Sequence, residues 1–158
     1  MPERLSDRVI QNIDQAAELY HRLVMLVAPA GVGKTATLQD IHERTGVPLF
    51  NVNLELSHFM LELTERQRAL QLPRLLSDMV NATQTDVVLL DNIEVLFDVS
   101  LKQDPLRLLQ GLSRNKTVVA AWSGSIDGEH ITYATPGHPE YRRYPVRDFL
   151  VVNPAAIA

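Results

Sequence analysis

The chain contains no cysteine, which excludes disulfides, a thiolate zinc site and a cysteine nucleophile. It also lacks any stretch approaching the ~18 consecutive apolar residues of a membrane span. The first residues, MPERLSDRV, lack the apolar core of a secretory leader. Nor is there an excess of basic charge: 15 basic against 19 acidic residues give a formal charge of −4. That balance argues against a protein that coats nucleic acid, because phosphate binding needs a basic surface, though a small basic patch stays open. Internal repeats and low-complexity linkers are missing as well. What is present is an ordinary globular composition, 46% hydrophobic over 158 residues, the size of one core. The expectation is a soluble, cytoplasmic, single-domain protein with no membrane association, spanning residues 1–158.

Five apolar runs read as strands: Leu23–Ala28, Leu49–Asn53, Val87–Asp91, Thr117–Trp122 and Asp148–Val152. Several are nearly continuous in apolar residues instead of alternating, as in a parallel sheet covered on both faces. Helical patterns lie between them at Ala36–Arg44, roughly Leu61–Asn81, and Pro105–Leu112. A further amphipathic segment, Glu3–Arg22, precedes the first strand, with Leu5, Val9, Ile13, Ala16, Ala17 and Tyr20 on one side. Alternating strands and helices predict βαβ units with right-handed crossovers: an α/β fold with a five-stranded parallel sheet. A leading helix within 1–22 then precedes a core over 23–152.

The first strand runs into Ala28-Pro29-Ala30-Gly31-Val32-Gly33-Lys34-Thr35 and then a helix. This is a phosphate-binding loop (P-loop), with Ala where the leading Gly usually stands. Gly31 and Gly33 permit backbone conformations that turn successive N–H groups toward an anion. The helix N-terminus, with Ala36 in its first turn, adds free donors and its dipole. Pro29, Ala30, Gly31, Val32, Gly33, Lys34, Thr35 and Ala36 are therefore the expected nucleotide-binding set. Lys34 is assigned to the β- and γ-phosphates of ATP, and the Thr35 hydroxyl to Mg²⁺.

Val87-Val88-Leu89-Leu90-Asp91 is an apolar strand ending in a carboxylate. Ligands of parallel α/β sheets gather at the carboxyl ends of strands, so Asp91 is the expected second Mg²⁺ group. Its neighbour Asn92 cannot act as a base. Glu94 is the nearest carboxylate able to orient or deprotonate water; the competing reading is an exposed first-turn Glu favoured by the helix dipole. Ser123, at the end of TVVAAW, is expected to sense the γ-phosphate or hold the attacking water, with Ser125 a weaker candidate. Trp122 is expected in the core.

Tyr133–Val146 is rich in Pro, Tyr and His and holds Arg142-Arg143; an ordered loop is expected there. The aromatics beside the two arginines are candidates for stacking on nucleotide or nucleic acid, and the arginines for an arginine finger delivered to a neighbouring subunit. The alternative is a surface loop packed on the sheet edge. His130 and His138 lack partners at metal-ligand spacing. Between Glu62 and Arg74 the charged residues read as a solvated face, with Leu70, Leu72, Leu75, Leu76 and Met79 in the core. Exposure of Phe59 or Met60 would mark a partner surface.

APAGVGKT followed by VVLLDNIE resembles the additional-strand P-loop ATPases and, within them, the AAA+ group. That resemblance implies a sheet in which the strand before Lys34 is flanked by the Asp91 strand and the last strand. AAA+ proteins usually carry Glu directly after the metal-binding Asp, where Asn92 stands here. They also carry a C-terminal helical lid, which is not expected in this chain. The segments NVNLELSHFMLEL, VVLLDNIEVLF and YATPGHPEYRRY are, in addition, similar to the BrxF family, small P-loop proteins of BREX phage-defence systems. This implies a bacterial cytoplasmic component acting with other defence proteins, several of which handle DNA.

Three functions follow as expectations. The first is a Mg²⁺-dependent ATPase serving as a switch in a multiprotein antiphage complex. The second is a small-molecule kinase of shikimate-kinase type, using Arg142 or Arg143 as lid residues. The third is a non-hydrolysing module in which nucleotide promotes assembly. An arginine finger needs self-association, so a homo-oligomer is expected. DNA contact, direct or through partners, stays open.

Overall fold

A computed structural model of the chain describes residues 4–31 and 33–154. Val32 of the phosphate loop lies outside the described residues, as do both terminal segments. The elements run α1 (Leu5–Ala16), β1 (Leu23–Ala28), α2 (Lys34–Thr45), β2 (Leu49–Asn51), α3 (Val52–Met60), α4 (Glu65–Asn81), β3 (Val87–Asp91). Two 3-10 turns follow, Ile93–Phe97 and Val99–Leu101, then α5 (Pro105–Leu112), β4 (Thr117–Asp127), β5 (His130–Tyr133), β6 (Arg142–Pro145) and β7 (Leu150–Val152).

The main sheet is parallel, in the order β2-β3-β4-β1-β7. Its central strands are apolar on both faces because both are covered. Along β1, Leu23, Met25 and Val27 join the core beneath α3, α4 and α5, whereas Val24 and Leu26 join the core beneath α1 and α2. The fold is thus the expected P-loop α/β architecture, with one correction to strand order. β1 is flanked by β4 and β7, pairing with β4 from Leu23↔Val118 to Ala28↔Ser123. The Asp91 strand, β3, lies one place further out, beyond β4. Every residue of Thr117–Trp122 is buried, as a strand inserted between two others requires.

Three other boundaries differ from expectation. The leading helix stops at Ala16, and turns carry the chain to Leu23. The second strand ends at Asn51, whose side chain accepts a bond from the Leu54 amide at 3.1 Å and so caps α3. Helix α3 buries Val52, Leu56 and Met60 at four-residue spacing; Phe59 is half-exposed, while Met60 is buried. A reciprocal cap between Thr64 and Gln67 starts α4 afresh. In α4, Leu72, Leu76, Met79 and Val80 form the inward stripe, which leaves Leu70 72% exposed instead of in the core.

The largest departure lies after Trp122. β4 continues past the parallel sheet to Asp127 and pairs antiparallel with β5, which pairs in turn with β6. Residues expected to form one loop over 133–146 therefore include a strand. Gly128, at φ +61°, makes the tight turn between β4 and β5. Trp122 is fully buried and donates its indole N–H to the Thr132 carbonyl at 2.9 Å.

Candidate nucleotide-binding site

The phosphate loop leaves the carboxyl end of β1 and returns as α2. Gly31 and Gly33 hold φ of +83° and +84°, a left-handed region that costs residues with a Cβ roughly 1–2 kcal/mol. Gly33 is the residue before the first turn of α2, and its carbonyl accepts both the amide and the hydroxyl of Thr37 at 3.0 Å. Lys34 is buried, and its Nζ donates to the carbonyls of Ala28 and Pro29 at 2.9 and 2.8 Å. Burial lowers the Lys34 ammonium pKa, and the negative charges of Glu94 and Asp91 oppose that shift. The ammonium is thus positioned in a site whose other charges are carboxylates.

Two of those side chains converge directly. The Thr35 hydroxyl donates to Asp91 Oδ2 at 2.6 Å, and the other Asp91 oxygen accepts the Asn92 amide at 2.9 Å. Asp91 is buried at the end of β3. A hydroxyl and a carboxylate oxygen side by side are hard donors of the kind Mg²⁺ takes, so the residues present fit the metal assigned to them.

Asn92 does something sequence reasoning did not anticipate. It adopts a left-handed conformation, φ 54° and ψ 53°, one of the few that Asn tolerates better than most residues. Its carbonyl accepts the Asn53 amide at 3.0 Å. The chain therefore turns sharply after Asp91 and enters the Ile93–Phe97 3-10 helix, whose first turn carries Glu94 into the lining of the pocket. Ser123 Oγ donates to Glu94 Oε1 at 2.8 Å. Glu94 is consequently tied into the site instead of standing free on a helix surface.

These groups line one open pocket of about 440 Å³, bounded by Ala30, Gly31, Gly33, Lys34, Thr35, Ala36, Gln39, Asp91, Asn92, Glu94 and Ser123. Pro29 contributes its carbonyl to Lys34 and does not line the pocket. Gln39 was not singled out from sequence, although its place one helical turn after Thr35 was the available signal.

Arg142 and Arg143 are not brought to this pocket. Arg142 donates to the Gln103 carbonyl at 3.1 Å, and Arg143 lies 3.8 Å from Asp127 and 3.4 Å from His130 Nδ1. Expectation for them within one chain is corrected: β6 ties them to the antiparallel extension. Ser125 likewise pairs with Thr132 across β4 and β5 at 2.9 Å. Among the described residues no group of His, Asp and Glu side chains forms a metal cluster of three or more. Nor is any helix among them long and apolar enough to cross a membrane.

A parallel sheet with β4 between the phosphate-loop strand and the Asp91 strand, and these side chains at its carboxyl edge, defines a P-loop nucleotide-binding protein. The family model of the ATPase family associated with various cellular activities (AAA) matches residues 24–121, from β1 into β4. The chain belongs to that family. A search of curated proteins finds no match.

Proposed function

We propose that the chain is a Mg²⁺-dependent ATPase in which Glu94 activates water, and that it serves as a switch or assembly component of a bacterial antiphage complex of the BREX type. Membership of the AAA family supports nucleotide binding and ATPase chemistry. The observation that carries the finer reading is the Ser123–Glu94 hydrogen bond at 2.8 Å, in the same pocket as Lys34, Thr35 and Asp91. It supports Glu94 as the replacement for the carboxylate that the resemblance to AAA+ proteins implies at the position of Asn92. Lys34 and the loop amides hold phosphate oxygens, and Thr35 and Asp91 are the groups that would hold Mg²⁺. The bound ion would neutralise charge on the β- and γ-phosphates. Glu94 accepts a proton as water attacks the γ-phosphorus and the bond to the ADP oxygen breaks.

The defence role rests on the likeness of the NLELS and PGHPEYR segments to the BrxF family, and with it the cytoplasmic location, the defence-protein partners and any DNA contact. Self-association belongs to the same reading: the Arg143 side chain is 47% exposed, accessible to a nucleotide held by a second copy. The kinase alternative is weakened because it needs Arg142 or Arg143 over the phosphates of its own chain, and both are engaged elsewhere.

Phosphate release by the parent, Lys34→Ala and Glu94→Gln, with and without DNA, tests the proposal. Lys34→Ala should lose ATP binding in calorimetry. Glu94→Gln should bind ATP normally and turn over ~10²–10⁴-fold more slowly. Parent-like turnover by Glu94→Gln removes it as the base. Turnover that requires an added small acceptor favours the kinase.

A further inference from the structure

The nucleotide pocket lies at the carboxyl ends of the parallel strands, and the opposite, amino edge of the sheet gathers positive charge. Arg22 immediately precedes β1 and Lys116 immediately precedes β4. Arg22 Nη2 donates to the Arg114 carbonyl at 3.1 Å, and Lys116 Nζ donates to the carbonyls of Thr83, at 2.9 Å, and Thr85. Arg107 and Arg114 stand exposed on α5 and just after it. Among the described residues, Arg44, Arg74 and Arg143 form ion pairs and none of these four cations does. The carbonyls orient Arg22 and Lys116 without cancelling their charge. Three acids are near by sequence or backbone pairing, Glu18, Asp86 and Asp104, and none forms an ion pair with these cations; the Asp104 carboxylate accepts the Tyr144 hydroxyl and the Arg107 amide instead. Four uncompensated positive charges thus share one edge of a chain whose net charge is −4.

Tyr20 stands among them with 69% of its surface exposed. The Arg114 guanidinium lies 5.1 Å from the centroid of its ring, and the His21 ring meets it edge-on at 4.8 Å. His21 Nδ1 donates to the Gln110 carbonyl at 3.1 Å, which ties this cluster to α5. Two hollows of about 280 and 620 Å³ meet along α5 at Gly111 and Asn115; Tyr20 and Arg114 wall the larger, and Arg107, Ser77 and Asn81 the smaller. Glycine is a poor residue inside a helix. Here its missing side chain leaves the floor between the hollows open, since a Cβ at Gly111 would meet nothing within 4 Å.

We propose that this groove on the amino edge binds single-stranded nucleic acid, with Tyr20 stacking on a nucleobase and Arg22, Arg107, Arg114 and Lys116 supplying the charge for the phosphates. An acidic peptide would use the cations but not the ring, and a duplex keeps the faces of its bases stacked on one another. An exposed aromatic ring held beside guanidinium groups is what a single strand takes. The groove is independent of how Glu94 acts, and it gives the chain a second ligand on the edge of the sheet opposite to the nucleotide.

Fluorescence anisotropy of short labelled oligothymidylate and oligouridylate strands, and of a duplex of the same length, tests this with saturating Mg·ADP present so that the phosphate loop is filled. Binding of either strand supports the proposal, and the tighter one names the sugar preferred. For the parent, log Kobs against log[salt] should fall with a slope of about −2 to −3, as four cations imply. Tyr20→Ala should weaken binding roughly 5- to 140-fold. Arg107→Glu and Arg114→Glu should each weaken it and flatten the salt slope, whereas Arg66→Glu, an exposed cation that lines neither hollow, should change neither. Thermal melts accompany every variant; if Tyr20→Ala fails to fold, Arg107→Glu carries the test. No binding of either strand by the parent at low salt overturns the proposal. So do a duplex bound as tightly as the strand, displacement of the strand by polyglutamate as effective as by unlabelled strand, or an equal loss in Arg66→Glu.

Discussion

Replacing Gly124 with alanine is a sharp test of how the site is supported. Gly124 needs no left-handed backbone; its constraint is space. The added methyl would sit 1.8 Å from the Thr132 carbonyl oxygen and 2.8 Å from Trp122 Nε1. The first obstacle is backbone, so no side-chain rotation relieves it, and β5 must retreat by roughly 1 Å or more to regain ordinary contact. That movement breaks the 2.9 Å bond from the indole to Thr132. Leaving a buried donor unpaired costs about 1–3 kcal/mol, and overpacking costs about 1–3 kcal/mol more. The expected loss is therefore about 2–6 kcal/mol, or roughly 4–24 °C in Tm for a domain of this size. Urea unfolding and a thermal melt measure it. Emission from Trp122, the single tryptophan, should shift to the red as the ring is wetted. Gly111 is the control: a Cβ there meets nothing within 4 Å, and alanine in α5 should stabilise by ~0.5–1 kcal/mol. A Gly124→Ala protein within about 0.5 kcal/mol of the parent would refute the close-approach argument.

Thr35→Val removes the hydroxyl beside Asp91 and keeps the shape; Mg²⁺-dependent ATP affinity should fall at least ~10-fold, read by calorimetry with and without Mg²⁺. Arg143→Ala should leave the ATP Kd of the isolated chain unchanged, because Arg143 lines no part of the pocket; a Kd change at concentrations where the chain is monomeric would contradict its placement. The phenols of Tyr133 and Tyr144 both titrate above their usual 10.0, through burial first. Raised folded-state values mean that their stabilisation is fully present below pH 10 and is lost as pH rises through the folded values. Stability should drop between pH 10 and about 12, less steeply in Tyr133→Phe, as followed by urea midpoints; an identical slope in parent and variant would count against the burial of that phenol.

Much of the site was legible because it is local. GVGKT demands a strand before it and a helix after it, and an apolar run ending in Asp reads as a strand whose carboxylate meets the loop. The hairpin between β4 and β5 was not read, although Asp127-Gly128 between apolar segments is a hairpin signal, and the Pro- and Tyr-rich composition that follows masks the strand Arg142–Pro145. Helix α3 was passed over because β-branched and apolar residues in NVNLELSHFM suit either element until Asn51 caps the helix.

The sequence by itself determined the fold class, the phosphate loop with Lys34 and Thr35, the place of Asp91 at the strand end facing that loop and the burial of Trp122. In each case the chemistry is carried by contiguous residues or by a single large side chain. Tertiary structure alone decided that β4 lies between β1 and β3, since apolar strands are interchangeable by pattern and their order is set by crossovers and pairing. It also decided the fate of Glu94. Twenty-nine residues separate it from Ser123, and only the left-handed turn at Asn92 together with the inserted β4 brings the carboxylate and the hydroxyl to one pocket. Tertiary structure also set the place of Arg142 and Arg143, on the strand paired with β5 and away from the pocket of their own chain, because backbone pairing and not charge fixes that segment.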